Sequence, residues 1–129
     1  MKYLVCFFIG WMYTLSFSPY NVSLLSLVSI LVLLLFLDLD SLKDSTIKAF
    51  LFSSGYFLSG TYWLENVIRQ YSEVGYILSI IIILFFILYL SIFIALPIII
   101  SSYLKINLKL HENYSLIIMS ILMVFFEII

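Results

Sequence analysis

Few residues in this chain could carry chemistry, and they do not gather into a constellation. His111 is the sole histidine, between Leu110 and Glu112 and close to Lys109. An imidazole relays protons or ligates a metal only when further polar groups meet it, so His111 reads as a solvated loop residue. Cys6 is the sole cysteine, which excludes an internal disulfide. Only Met1 to Val5 precede it, too little for a signal peptide, and it reads as a small apolar helix residue. Asp38, Asp40 and Asp44 crowd one short segment with Lys43 and Lys48. Their oxygens would have to converge to hold a cation, whereas solvated charges at a membrane edge need no convergence. No Gly-rich phosphate loop and no Gly-x-Ser-x-Gly elbow occurs. The sequence therefore offers no catalytic set, no metal set and no cofactor site.

Two acids stand out by their surroundings. Glu127 is embedded in apolar sequence, where an unpaired carboxylate is costly and a functional role is the default reading. Against that, its polar partner could lie beyond the last residue, or the end could reach water. Glu65 and Asn66 follow Tyr62 and Trp63 at the end of an apolar run. They either line an entrance from the bilayer or mark an interface where the two rings form part of an aromatic belt, the more common use.

The elements that would position these residues follow from composition. Of 129 residues, 65% are hydrophobic and only 10% charged, and the mean hydropathy is +1.25. A soluble domain carries about 25% charged residues. So small a water-soluble fold could not hide this much apolar side chain, because its surface-to-volume ratio is too high. A soluble enzyme and a disordered tail are thus excluded. A net charge of −1 leaves no basic face for nucleic acid. The expectation is an all-α membrane protein.

Polar punctuation leaves five apolar stretches, at about 3–17, 22–37, 47–64, 75–104 and 114–129. About 20 apolar residues of helix cross a hydrocarbon core of ~30 Å, and the first two stretches are at the short end of that range. Runs such as Ile80 to Leu84 would suggest strands in water, but in lipid the backbone must satisfy itself, which favours helices. If each stretch crosses once and the N-terminus is cytoplasmic, Lys2, Lys43, Lys48, Lys105 and Lys109 all fall inside. Arg69 alone falls outside, as the positive-inside rule expects. A signal-peptidase reading of Ser16-Phe17-Ser18 would spoil that alternation and would place Pro19 after the cut. In the third stretch Ser53, Ser54, Gly55, Ser59 and Gly60 give a small-residue face suited to close helix packing. The last stretch stops without a polar anchor, so the chain is expected to be truncated at its C-terminus.

Several segments together resemble one family, apolipoprotein N-acyltransferase. Phe17-Ser18-Pro19-Tyr20 resembles its Phe-Ala-Pro-Phe turn. The stretch from Ala49-Phe50 through Gly55-Tyr56-Phe57-Leu58-Ser59-Gly60-Thr61-Tyr62-Trp63-Leu64 is similar to its third span. Tyr89-Leu90-Ser91-Ile92-Phe93 with Ala95-Leu96 resembles its Tyr-Leu-Ala-Leu-Phe-Pro-Ala segment. Phe125-Phe126-Glu127 resembles the start of its Trp-x-x-x-Glu-Trp-x-Arg helix. The chain departs from the pattern at Glu65-Asn66 and at Ser72-Glu73-Val74-Gly75, where the family has Tyr-Ser and a Phe-Gly turn.

The resemblance implies a multi-pass protein of the bacterial cytoplasmic (inner) membrane. Family enzymes carry a periplasmic nitrilase-like domain whose Glu, Lys and Cys move an acyl chain from a phospholipid to the N-terminal cysteine of a lipoprotein. The chemistry is covalent catalysis with oxyanion stabilisation. None of the three maps here, and Cys6, in the first stretch, is not that nucleophile. The resemblance thus implies the membrane-anchoring N-terminal part, inactive alone, with membrane phospholipid, a separate nitrilase-like domain and lipoproteins as partners. Pro19, Trp63 and Glu65 would fall on the outer, lipid-entry side as substrate-facing residues. The alternative is a small stand-alone multispan protein, such as a transporter subunit or assembly factor, which would need a well-anchored C-terminus and dimerisation to build a pathway. The sequence shows no internal repeat, and Glu127 is its only candidate mid-membrane charge.

Overall fold

The computed structural model describes residues 2–18, 20–72 and 75–128, with the side chains of residues 72, 127 and 128 outside that description. The described residues form helices and their connections and contain no strand. The helices are α1 (Lys2–Thr14), α2 (Leu24–Phe36), α3 (Leu42–Thr61), α4 (Leu64–Ser72), α5 (Tyr76–Leu108) and α6 (Glu112–Ile128). α3 lies between α1 and α5, α2 packs on α1, and α6 and α4 pack on α5.

Two boundaries differ from the hydropathy reading. α3 begins at Leu42, not near residue 47, because Ser41 caps it: the Ser41 hydroxyl accepts the Asp44 N–H at 3.4 Å. Asp44 then sits in the first turn, where an acid complements the exposed N–H groups. The charge-rich segment after Trp63 is helical rather than a loop. In α4 the apolar Leu64, Val67, Ile68 and Tyr71 fall on one side and Glu65, Asn66, Arg69 and Gln70 on the other.

α5 is the only described helix that is both long and apolar enough to cross a membrane. Its 33 residues extend about 50 Å, more than a hydrocarbon core of ~30 Å requires. It ends where Lys109 takes a left-handed conformation (φ 48°) and returns its N–H to the Lys105 carbonyl. Pro97 lies inside this helix and has no N–H for the Phe93 carbonyl. α2 and α6 are apolar but shorter, at 13 and 17 residues. α3 has 20 residues but carries Lys43, Asp44 and Lys48 in its first two turns. By length and apolarity together, α5 alone among the described helices meets the criterion for a span.

Along α5, small and polar side chains share the inside with a few Ile residues while many large apolar ones face outward. The inward line of α5 is Ser79, Ile83, Ile87, Ser91, Ala95, Ile98, Ser102 and Lys105, rich in small and polar side chains. Its outward face carries Ile77, Leu84, Phe85, Leu88 and Tyr89, all exposed. Ser53, Ser91 and Ser101 are fully buried and return their hydroxyls to carbonyls four residues back at 2.7 Å. That local bond satisfies the hydroxyl without a partner from another helix.

The tightest crossing joins α1 to α3. A Cβ added at Gly10 would overlap the Phe52 carbonyl, and one added at Gly55 would overlap that of Phe7. Glycine at both positions therefore permits a backbone approach that alanine would block. Further along the seam the Thr14 hydroxyl donates to the Tyr56 carbonyl at 3.1 Å and lies 2.5 Å from Ser59 Oγ.

Candidate functional site

Two of the residues singled out by sequence, Trp63 and Glu65, lie at the end of the bundle where α3 hands over to α4 and α5. Trp63 connects α3 to α4, and its indole N–H donates to the Gly60 carbonyl at 2.9 Å. That bond fixes the ring direction while leaving the residue 55% exposed. Glu65, two residues later, faces the other way. Its Oε1 accepts the Ser79 hydroxyl of α5 at 3.2 Å and lies 3.6 Å from Arg69 Nε. Ser79 is fully buried, so the carboxylate of Glu65 closes a contact between helices. Arg69 also donates to Asn66 Oδ1 at 3.1 Å and stands over the Tyr76 ring at 5.9 Å. Trp63 and Glu65 are neighbours in sequence but point to different surroundings: an open surface and the α4–α5 seam.

Pro19 lies outside the described residues. The turn around it is visible at Phe17, whose carbonyl accepts the N–H groups of Tyr20 at 3.1 Å and Asn21 at 3.0 Å. Asn21 takes a left-handed conformation (φ 54°), which asparagine tolerates better than most residues. The side chain of Glu127, the other acid singled out by its apolar context, also lies outside the described residues.

A second cluster, at the opposite end, was not legible as a unit in the sequence. The Lys48 ammonium is 3% exposed; it forms an ion pair with Asp44 and donates to the Phe36 carbonyl at 2.6 Å. Phe36 is the last residue of α2, so Lys48 occupies the carbonyl end of that helix, where a cation is favoured. Asp44 in turn accepts the Tyr3 hydroxyl from α1 at 2.9 Å. The hydrogen bond from Lys48, reinforced by that from Tyr3, holds the Asp44 carboxyl below the usual carboxylate range against the opposing effect of burial. From the other side, Lys105 of α5 pairs with Asp40 at 2.9 Å, and the Ser102 hydroxyl donates to the Leu39 carbonyl at 2.9 Å. The connection between α2 and α3 is thereby gripped by α3 and by α5. Asp44 is a helix tie rather than a merely solvated charge, whereas Asp40, 77% exposed, remains a solvated charge that also pairs with Lys105.

This cluster borders an open cleft of about 570 Å³, walled by Lys2, Asp38, Asp40, Asp44, Lys48 and Glu112 among others. Its ammonium and carboxylate groups largely neutralise one another, and none is an activated nucleophile. Among the described residues no three of His, Cys, Asp and Glu stand together in a metal-binding arrangement. Cys6 is fully buried in the apolar core with Ile9, Leu33, Ala49 and Phe52. His111 is exposed in the turn before α6, where its carbonyl accepts the N–H groups of Tyr114 and Ser115.

The segments that carried the resemblance have assignable packing roles. Gly55 makes the α1 crossing, Gly60 receives the Trp63 indole, and Tyr89 meets Phe93 edge-on at 5.1 Å between centroids. No curated protein and no solved structure matches the chain. The model of one family, the apolipoprotein N-acyltransferase N-terminal domain, matches residues 9–129. With nearly its whole length matched, the chain belongs to the apolipoprotein N-acyltransferase N-terminal domain family.

Proposed function

We propose that these 129 residues are the membrane-embedded N-terminal portion of an apolipoprotein N-acyltransferase and serve acyl transfer by holding and orienting its catalytic part. The observation that carries this reading is the family match over residues 9–129. The burial pattern along α5 supports it: serines line the inward face of α5 while large apolar side chains cover its outward face. In water the hydrophobic effect would reverse that distribution, whereas lipid favours small residues between helices and apolar ones outside.

In this reading α1, α2, α3, α5 and α6 each cross the bacterial inner membrane, with the N-terminus in the cytoplasm. The ion-paired cluster around Lys48 and Lys105 then lies at the cytoplasmic face, and α4 with Trp63 at the periplasmic face. The donor is a membrane phospholipid, and the acceptor is a lipoprotein N-terminus presented to a nitrilase-like domain. Pro19 and Trp63 belong to the outer side from which lipid approaches. Glu65 contributes by fixing α4 on α5, in keeping with its contact to Ser79.

The test is a chimera in which residues 1–129 replace the corresponding portion of a complete family enzyme. In cells depleted of their own enzyme, the chimera should restore N-acylated lipoprotein, measured by mass spectrometry of the modified N-terminal peptide. A chimera that inserts in the membrane at the level of the parent enzyme yet restores none would overturn the reading. The 129-residue chain alone should acylate no diacylated lipopeptide, because it holds none of the Glu, Lys and Cys set that the resemblance places in the catalytic domain.

A further inference from the structure

We propose that α4 is a lipid-surface helix, lying along the outer membrane interface with Val67 and Tyr71 toward the acyl chains and Asn66 and Gln70 toward water. The inference rests on the reading that α5 crosses the membrane and goes beyond it by assigning an occupant to the uncovered side of α4. Nine residues of helix extend about 14 Å, far short of a crossing. Leu64, Val67, Ile68 and Tyr71 recur at the spacing that places them on one side. The first three are partly covered, but Tyr71 is 80% exposed.

The surroundings point to lipid. Tyr62, Trp63, Tyr71 and Tyr76 are all exposed, so four amphipathic rings cluster between positions 62 and 76. Rings with an apolar body and a polar tip are favoured where acyl chains meet headgroups. Tyr76 opens α5, the long apolar helix on which α4 packs, and so sets the depth of this end of the bundle. Glu65 and Arg69 pair with each other, and Glu65 is anchored on Ser79, so α4 offers no net charge to an acidic or basic partner. A neutral amphipathic helix engages the interface through apolar area and aromatic rings, and its seating should not depend on anionic lipid.

Spin labelling tests this directly. With Cys6→Ala removing the native thiol, nitroxides would be placed through Asn66→Cys, Val67→Cys, Gln70→Cys, Tyr71→Cys and Phe85→Cys, one at a time, in phosphatidylcholine vesicles. Phe85 is an outward, 70% exposed position within α5 and reports whether that helix is in the bilayer. Labels at positions 67 and 71 should relax preferentially with oxygen, and those at 66 and 70 with a water-soluble nickel chelate. The pattern should persist when phosphatidylglycerol is added. Equal nickel accessibility at all four α4 positions, with the label at 85 in the bilayer core, overturns the inference while α5 still crosses. Protection of all four from both reagents means that protein covers α4, and also overturns it. A label at 85 in water overturns the crossing of α5 and the inference together.

Discussion

The Lys48 ammonium of α3 donates to the Phe36 carbonyl that ends α2, at 2.6 Å, while forming an ion pair with Asp44. One buried cation thus satisfies a helix terminus and a carboxylate that is itself bonded to Tyr3 of α1. The nitrogen joins α3 to α2, α1 is tied in through Asp44, and the energetic consequences are testable.

Replacing Lys48 with Ala should destabilise the bundle by about 1–3 kcal/mol, the cost of leaving a buried polar group unmatched. The effect should be visible as a lower midpoint of unfolding in detergent, followed by circular dichroism. Lys43→Ala is the control, since Lys43 is exposed, and should leave the midpoint unchanged.

The acid dependence follows from the lowered Asp44 pKa. Because the folded-state value is depressed, the Asp44–Lys48 tie contributes fully above the ordinary carboxylate value of about 3.9. The contribution is lost as pH falls through the lower folded-state value. The stability difference between the wild type and Asp44→Asn should therefore be constant from neutral pH down to about 4 and shrink below it. Unfolding titrations at a series of pH values measure that difference.

The α1–α3 crossing predicts opposite results for two kinds of glycine. Gly10→Ala and Gly55→Ala each place a methyl group into a neighbouring carbonyl and should cost about 1–3 kcal/mol by overpacking. At Gly60 an added Cβ meets only Thr14 Cγ2, at 3.7 Å. Gly60→Ala should be neutral or stabilising by up to ~1 kcal/mol, since alanine favours helix. Thermal unfolding of the three variants separates these outcomes.

Removing the Glu65 carboxylate should loosen α4 while leaving the rest of the bundle in place. In Glu65→Ala the Ser79 hydroxyl loses an acceptor, and Arg69 loses its ion-pair partner. Amide exchange of residues 64–72 should accelerate, with α1 and α3 unchanged. Equal acceleration throughout would mean that the contact supports the whole fold.

Orientation can be read with periplasm-active reporter fusions. With the N-terminus in the cytoplasm, a fusion after residue 72 should be active, whereas fusions after residues 41 and 110 should be inactive. The reverse pattern would invert the bundle.

Much of the helical architecture was legible because apolar runs and polar breaks are written locally. Each of the five apolar stretches overlaps one of α1, α2, α3, α5 and α6. The start of α3 and the whole of α4 were missed for one physical reason: both are polar, and hydropathy marks lipid affinity rather than helicity. Ser41 and Asp44 carry a capping signal, and Leu64, Val67, Ile68 and Tyr71 carry a helical period, so local signals for both existed. The cluster around Lys48 was legible only in part. Asp44 and Lys48 are one turn apart, but Tyr3 and the Phe36 carbonyl reach them through the packing of separate helices. Likewise Gly55 stood out within a small-residue run, whereas Gly10 matters only because α3 passes beside it. At the outer end, the resemblance grouped Trp63 and Glu65 on one side. The side-chain contacts that hold them, Trp63 on Gly60 and Glu65 on Ser79, depend on packing that the sequence does not display.

The serine-lined seam of α5 also determines which substitutions this chain can absorb. Ser79, Ser91 and Ser102 are fully buried, so a larger side chain at any of them would have to displace its neighbours. The outward positions between them can exchange Ile, Leu, Phe and Val with little effect on packing. Random substitution would therefore rewrite most of α5 while sparing a sparse ladder of small residues. Distant copies of this bundle would share a rhythm of residue sizes long after their residue identities had diverged.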